Sequence, residues 1–313
     1  MLFGIITVVV GVFVALAALY FLAPGAIFAV SVVLGRMKGG LKLKTIDIDD
    51  HTISYLAGGE GESLLLLHGF GADKDNWTLV APYLKRSFTM IIPDLPGFGE
   101  SSFRSDASYS IDSQVERLVL FVEKLGITKL HIGGNSMGGY LAVALANRLR
   151  QSVESLWLLA PAGVTTDEKA EGVILIEQDD NPLIIKTEED LDRLIQLCFE
   201  KPPFTPNPIK HFLLERAKER ADTNQNLFHD LIGGELPQTE DNPLQLENLV
   251  GEMRTTTLLV WGDKDRILHP SGLQVLSGKL QVVKTIMMSD MGHVPMVERP
   301  EQTAIDFLNF SKK

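Results

Sequence analysis

The chain has 313 residues, one cysteine and a formal net charge of −11 at pH 7, with a sequence pI near 5.1. A lone Cys198 excludes an internal disulfide and fits a reducing compartment, and an acidic chain without a basic patch excludes nucleic acid as the expected partner. No metal-spaced Cys/His cluster, repeat or low-complexity tract is visible in the sequence, so no metal or organic cofactor is implied and no obligate protein partner is inferred.

In chain order, the first feature is Leu2 to Leu34, 33 positions without a charge and interrupted only by Pro24-Gly25. About 20 apolar residues span a bilayer as a helix, so Leu2 to Leu22 is the expected span, with Ala26 to Leu34 kinked onward or lying at the interface. A cleaved signal peptide is the alternative, and Ala15-Leu16-Ala17 resembles a small-residue cleavage site. Yet no basic residue precedes the apolar run, whereas Arg36, Lys38, Lys42 and Lys44 follow it. These flanks favour an uncleaved membrane anchor over residues 1–40, with the following domain on the cytoplasmic side.

About 270 residues remain, enough for one large α/β domain with an insertion. Lys42 to Ile48 and Thr52 to Leu56 predict an opening hairpin, and Leu64 to Leu67 and Thr89 to Ile92 read as buried strands. Ser110 to Leu125 has helical spacing, with Ser110 or Asp112 as cap. A strand at Leu130 to Gly133, a helix after it and a strand at Leu156 to Leu159 follow. The rhythm resumes at Leu258 to Trp261 and Val282 to Met288. Strands alternating with helices imply a mostly parallel sheet that binds ligand at the carboxyl ends of its strands.

Between Gly163 and Arg254 that rhythm is lost. Helices are expected at Thr187 to Glu200, where Thr-Glu-Glu-Asp makes a capped start, and at Ile209 to Arg220. Prolines keep residues 201–208 extended. Residues 165–254 are thus the expected helical cap, inserted into a core of residues 41–164 and 255–313. Its apolar residues Leu194, Ile195, Leu197, Phe204, Phe212 and Leu213 either line an acyl-chain tunnel or simply pack the cap, as apolar helix faces usually do.

Leu130-His-Ile-Gly-Gly-Asn-Ser-Met-Gly-Gly-Tyr140 carries the strongest chemical signal. An apolar strand runs through GxSxG into an alanine-rich helix, the pattern of a nucleophile elbow with Ser136 as the attacking group. A strained turn there leaves no room for side chains at Gly134 and Gly138, and Ser136 sits where helix N–H groups face a developing oxyanion. The loop after Leu64 to Leu67 can supply the second oxyanion N–H from Phe70, opposite that of Met137. A serine nucleophile needs a base and an acid that orients it. Of the seven histidines only His269 and His293 follow the acidic loop WGDKD, which offers both Asp263 and Asp265.

Together LHGFGADKDNW (67–77), PDLPGFGES (93–101), GNSMGG (134–139), APAG (160–163), WGDKD (261–265) and GHVPMVERP (292–300) resemble α/β-hydrolase-fold serine lipases and esterases. The likeness is strongest to the membrane-anchored monoacylglycerol lipase branch and related bacterial lipases. The resemblance implies the order Ser136, Asp265, His293, with the second aspartate of WGxxD as the orienting acid. It leaves His269 and Asp290 structural and gives Asp94 no chemistry. His68 fastens the oxyanion loop, and Glu298 and Pro300 mark the entry to the final helix. The implied activity is hydrolysis of a lipid ester through an acyl-serine intermediate. A carbon–carbon bond hydrolase keeps the same serine, and a ligand-binding receptor keeps the same fold. The complete set of catalytic parts argues against the receptor, and the apolar N-terminus favours a lipid substrate.

Overall fold

The computed structural model describes residues 23–233, 245–251 and 253–312. Its centre is an eight-stranded sheet built from β1 (Lys42–Ile48), β2 (His51–Gly59), β3 (Glu62–Leu67), β4 (Phe88–Pro93), β5 (Leu130–Ser136), β6 (Val153–Pro161), β7 (Thr256–Gly262) and β8 (Val283–Met288). The spatial order is β1-β2-β4-β3-β5-β6-β7-β8. β1 and β2 form the expected antiparallel hairpin, β2 meets β4 antiparallel, and every pair from β4 to β8 is parallel.

The central strands are apolar on both faces, and their period of two divides them between two cores. Leu65, Leu67, Leu156 and Leu158 join one core with Val143 and Phe121, on the side of helices Ile111–Lys124 and Met137–Leu149. Leu64, Leu66, Trp157 and Leu159 join the other with Trp77, Leu84 and Phe307, where helix Pro300–Ser311 packs. Phe307 stacks on Trp157 with ring centroids 4.4 Å apart. Two covered faces fix the register, since a one-residue slip would exchange the two side-chain sets.

Helices at Glu188–Cys198 and Asn207–Glu219 match the expected pair between β6 and β7, and Thr187 closes a capping box with Asp190. Residues 201–206 are extended as their prolines require. Among the described residues of this insertion, Glu171–Glu177, Ala221–Leu231 and Leu246–Val250 are also helical.

The expected span Leu2 to Leu22 lies outside the described residues. Among the described residues no helix is long and apolar enough to cross a membrane. Ala26 to Leu34 belongs to a helix, Pro24–Gly39, that lies against the domain. Phe28 meets Phe212 of the insertion with centroids 5.7 Å apart, and Arg36 forms a two-pronged ion pair with Asp75 at 2.8 and 2.6 Å. Val30, Val33, Leu34 and Met37 stay exposed on the other face of this helix.

Candidate active site

All parallel strands point their carboxyl ends to one edge, and the loops carrying His68, Ser136, Asp265 and His293 leave from β3, β5, β7 and β8. At the end of β5 the chain turns within one residue into helix Met137–Leu149. Ser136 bears the turn with φ +56° and ψ −121°, a conformation disfavoured for a side chain with a Cβ. The flanking glycines are obligatory. A Cβ on Gly134 would lie 2.1 Å from the Gly138 carbonyl oxygen, and one on Gly138 would lie 2.3 Å from that of Leu67. These close approaches press the elbow against the end of β3, and Gly69 passes so near that its missing Cβ would sit 3.3 Å from Ser136 Cβ.

Asp265 and His293 are brought together as expected. The His293 ring Nδ1 and the Asp265 Oδ2 are 2.7 Å apart, and both residues are buried. The Asp265 carboxylate also accepts the Ile267 and Leu268 N–H groups at 2.9 and 3.0 Å, which fixes its plane. In the neutral ring, an Nδ1–H donated to the carboxylate leaves the lone pair on Nε2. The Ser136 hydroxyl makes no direct hydrogen bond with the His293 ring among the described residues. Their backbones are joined through Asn135, whose side-chain amide donates to the His293 and Leu159 carbonyls, each at 3.0 Å. In such sites the serine–histidine contact commonly tightens only when substrate binds.

Neither the Phe70 N–H nor the Met137 N–H meets a protein acceptor among the described residues. They lie on the two segments that the elbow glycines press together, so both donors are free for an incoming oxygen. The loop carrying Phe70 is held from below. His68 donates Nδ1–H to Gly69 O at 2.7 Å and accepts the Leu95 N–H at Nε2, 3.0 Å, which fixes its tautomer. Burial pushes the His68 pKa down, keeping the ring neutral. The Phe70 ring lies edge-on between Phe98 of the core and Phe228 of the insertion, with centroids 5.4 Å from each.

Beneath this loop is a buried charge cluster. Asp94 accepts the Lys74 backbone N–H and its ammonium, both at 2.7 Å, and the Glu100 N–H at 2.7 Å. Glu100 reaches the same ammonium at 2.8 Å. Asp94 thus ties two loops of the catalytic edge together, a positioning role rather than a chemical one. Sequence reading found the loop residue but missed Lys74, because a lysine in a glycine-rich loop looks like a solvated one.

His269 is occupied by Ser271 and Glu168, Asp263 accepts the Met291 N–H, and Asp290 takes the left-handed φ of +51°. His269 thus has structural partners, and Asp263 and Asp290 serve turns. Of the tunnel candidates, Phe204 is 92% exposed, Phe212 packs on Phe28, and Leu197 is buried. Phe212 thus takes the packing alternative, against helix Pro24–Gly39, while Phe204 faces solvent and lines nothing. Pro300 does open the final helix, but Glu298 does not belong to that entry. It ends the preceding turn, Pro295–Glu298, and its carboxylate turns back toward the insertion. Burial pushes the Cys198 thiol up to about 12, leaving it inert beside the His293 loop. Among the described residues no cluster of ligating side chains could hold a metal ion.

Residues 62–300 match the family described as alpha/beta hydrolase fold. The chain is 34% identical to Lipase 1 of Psychrobacter immobilis over 282 residues, which is 88% of this chain and 86% of that one. It is 29% identical to human monoacylglycerol lipase ABHD6 over 94% of this chain and 90% of the relative. A solved membrane phospholipase A, described as a bacterial virulence factor, superposes with a TM-score of 0.87 at 37% identity, covering 100% of this chain and 98% of the other.

Proposed function

The chain belongs to the α/β hydrolase fold family and is a carboxylic ester hydrolase, and we propose that it cleaves lipid esters, monoacylglycerols foremost, through an acyl-serine intermediate on Ser136. The observation that carries this reading is the buried 2.7 Å Asp265–His293 pair, tied by Asn135 to the strained turn at Ser136. In the reaction His293 Nε2 takes the Ser136 proton as Oγ attacks the ester carbonyl carbon. Asp265 holds the ring's tautomer and stabilises the imidazolium that forms. The Phe70 and Met137 N–H groups receive the negative charge that develops on the carbonyl oxygen. The imidazolium then protonates the departing alkoxide, and water, deprotonated by the same ring, releases the acid. Residues 165–254 act as the cap over this edge.

A lipid substrate is supported by the lipase and phospholipase relatives, by the uncharged run Leu2 to Leu22, and by the exposed apolar stripe that continues from it. Ala26, Ala29, Val30, Val33, Leu34 and Met37 recur at helical spacing on the face of Pro24–Gly39 turned away from the protein. Such a stripe rests at a bilayer surface while Phe28 and Arg36 hold the opposite face, and a tethered enzyme meets bilayer-dissolved esters at high local concentration. The basic residues after the run set the domain on the cytoplasmic side.

The deciding experiment is turnover of p-nitrophenyl butyrate and a monoacylglycerol by membranes carrying the protein or its Ser136→Ala variant. The variant is expected to lose at least ~10³-fold in kcat. Equal activity in both would remove Ser136 from the chemistry, and turnover of carbon–carbon diketone substrates alone would replace the lipase reading.

A further inference from the structure

The helix Glu188–Cys198 ends in a set of bonds that all lead to the loops of Asp265 and His293. The Arg266 guanidinium, next to the acid, donates to the Gln196 carbonyl. The backbone N–H of His293 donates to the Cys198 carbonyl at 2.7 Å. Gly292 passes so close that a Cβ there would lie 2.3 Å from that carbonyl oxygen. The Glu298 carboxylate completes the set, with Oε1 accepting the Lys201 N–H at 3.0 Å and Oε2 accepting those of Gly292 at 3.2 Å and Glu200 at 3.3 Å. One side chain therefore satisfies three backbone donors, two on the insertion and one immediately before the histidine.

We propose that Glu298 is a positioning residue for the hydrolytic reaction, clamping the backbone of the His293 loop to the end of helix Glu188–Cys198 so that base and insertion form one rigid unit. The inference rests on the reading of His293 as the base, and it assigns Glu298 a part in holding that base still. Removing the carboxylate frees the Gly292 N–H and both insertion N–H groups together, and the ring shifts relative to Ser136. Displacements well under 1 Å at reacting atoms lower the chemical rate while leaving ground-state binding intact. It follows that this end of the insertion does not swing with substrate entry.

The test compares Glu298→Gln and Glu298→Ala with the wild type on a soluble short-chain ester. Gln keeps one acceptor oxygen in the same volume, so kcat is expected to fall about tenfold in Gln and about a hundredfold in Ala, with KM within about twofold in both. Wild-type kcat in either variant, or a change carried by KM, overturns the proposal. Amide exchange on the full-length wild-type protein decides the matter independently of whether the variants fold. Gly292, Glu200 and Lys201 are expected to open with one common protection, whereas fast exchange of Glu200 and Lys201 beside a protected Gly292 refutes the clamp. That measurement does not depend on which group is the base, so its failure is distinct from retention of activity by Ser136→Ala.

Discussion

Asn135 and His293 stand 158 positions apart in sequence, yet the Asn135 side-chain amide donates to the His293 main-chain carbonyl at 3.0 Å. Its other hydrogen goes to Leu159 O on the neighbouring strand, also at 3.0 Å. The residue just before Ser136 thereby ties the His293 loop to the end of β5. Asn135→Ala removes both of these buried hydrogen bonds, costing about 1–3 kcal/mol of stability. It is expected to lower kcat more than KM. Thermal unfolding and steady-state kinetics on the same preparation check both effects, and an unchanged kcat would detach this amide from the site.

Lys74 and Asp94 form a pair that is almost wholly withdrawn from water, at 2.7 Å. Lys74→Met strips the carboxylate of its cation and leaves it the N–H groups of residues 74 and 100. A buried charge deprived of its partner destabilises by about 3–5 kcal/mol. The double variant Lys74→Met with Asp94→Leu is expected to recover part of that loss in urea unfolding. If the single variant is as stable as the wild type, the pair contributes nothing to the fold.

Asp73 is expected to make stability fall with pH. Burial, with the Asp94 and Asp75 carboxylates close by, pushes its carboxyl up to about 6. The folded chain thus holds this proton more tightly than the unfolded chain. The cost is absent below about pH 4, grows between about 4 and 6, and is complete above that. Asp73→Asn removes the charge and keeps an acceptor for the Asp75 N–H, which lies at 2.9 Å. The variant should match the wild type at pH 4 and exceed it at pH 8 by about 1 kcal/mol, a figure reduced because the residue is only partly buried. An equal difference at both pH values would show that the carboxylate's charge is not responsible.

The exposed stripe on helix Pro24–Gly39 offers a test of the membrane reading that leaves the chemistry alone. Val33→Glu combined with Leu34→Glu places two charges on the face turned outward. Turnover of a soluble ester in detergent should be unchanged. Turnover of a monoacylglycerol dissolved in vesicles should drop several-fold, since an interfacial helix binds through its buried apolar area. Equal rates on vesicles would mean that the stripe does not touch the bilayer.

The central strands were legible because β3, β4, β6 and β7 carry short apolar runs, whereas β1 mixes polar and apolar residues, and the elbow was legible because steric demand leaves only glycine at positions 134 and 138. Thr187 and Asp190 announced a helix for the same local reason. Helix Ala221–Leu231 was not legible: Thr, Asn and Gln fill its first turns, and only Ala221, Leu227 and Leu231 are buried. Glu298 misled because its sequence neighbourhood describes only a helix boundary, while its partners Glu200 and Lys201 lie 98 and 97 residues away. Phe212 packs, as apolar helix faces usually do, but against Phe28 of helix Pro24–Gly39, and Phe204 faces solvent, because apolarity alone does not say which surface a side chain will meet.

The tight seat of the elbow, where carbonyl oxygens occupy the space that any side chain at Gly134 or Gly138 would need, divides labour across the molecule. A turn braced by main-chain atoms offers mutation almost nothing to adjust, since every substitution there collides with backbone. Contacts made through side chains, such as Phe228 against Phe70, carry no such constraint and leave room for substitution. Change at the turn itself is therefore barred by main-chain contact, and change around it is not.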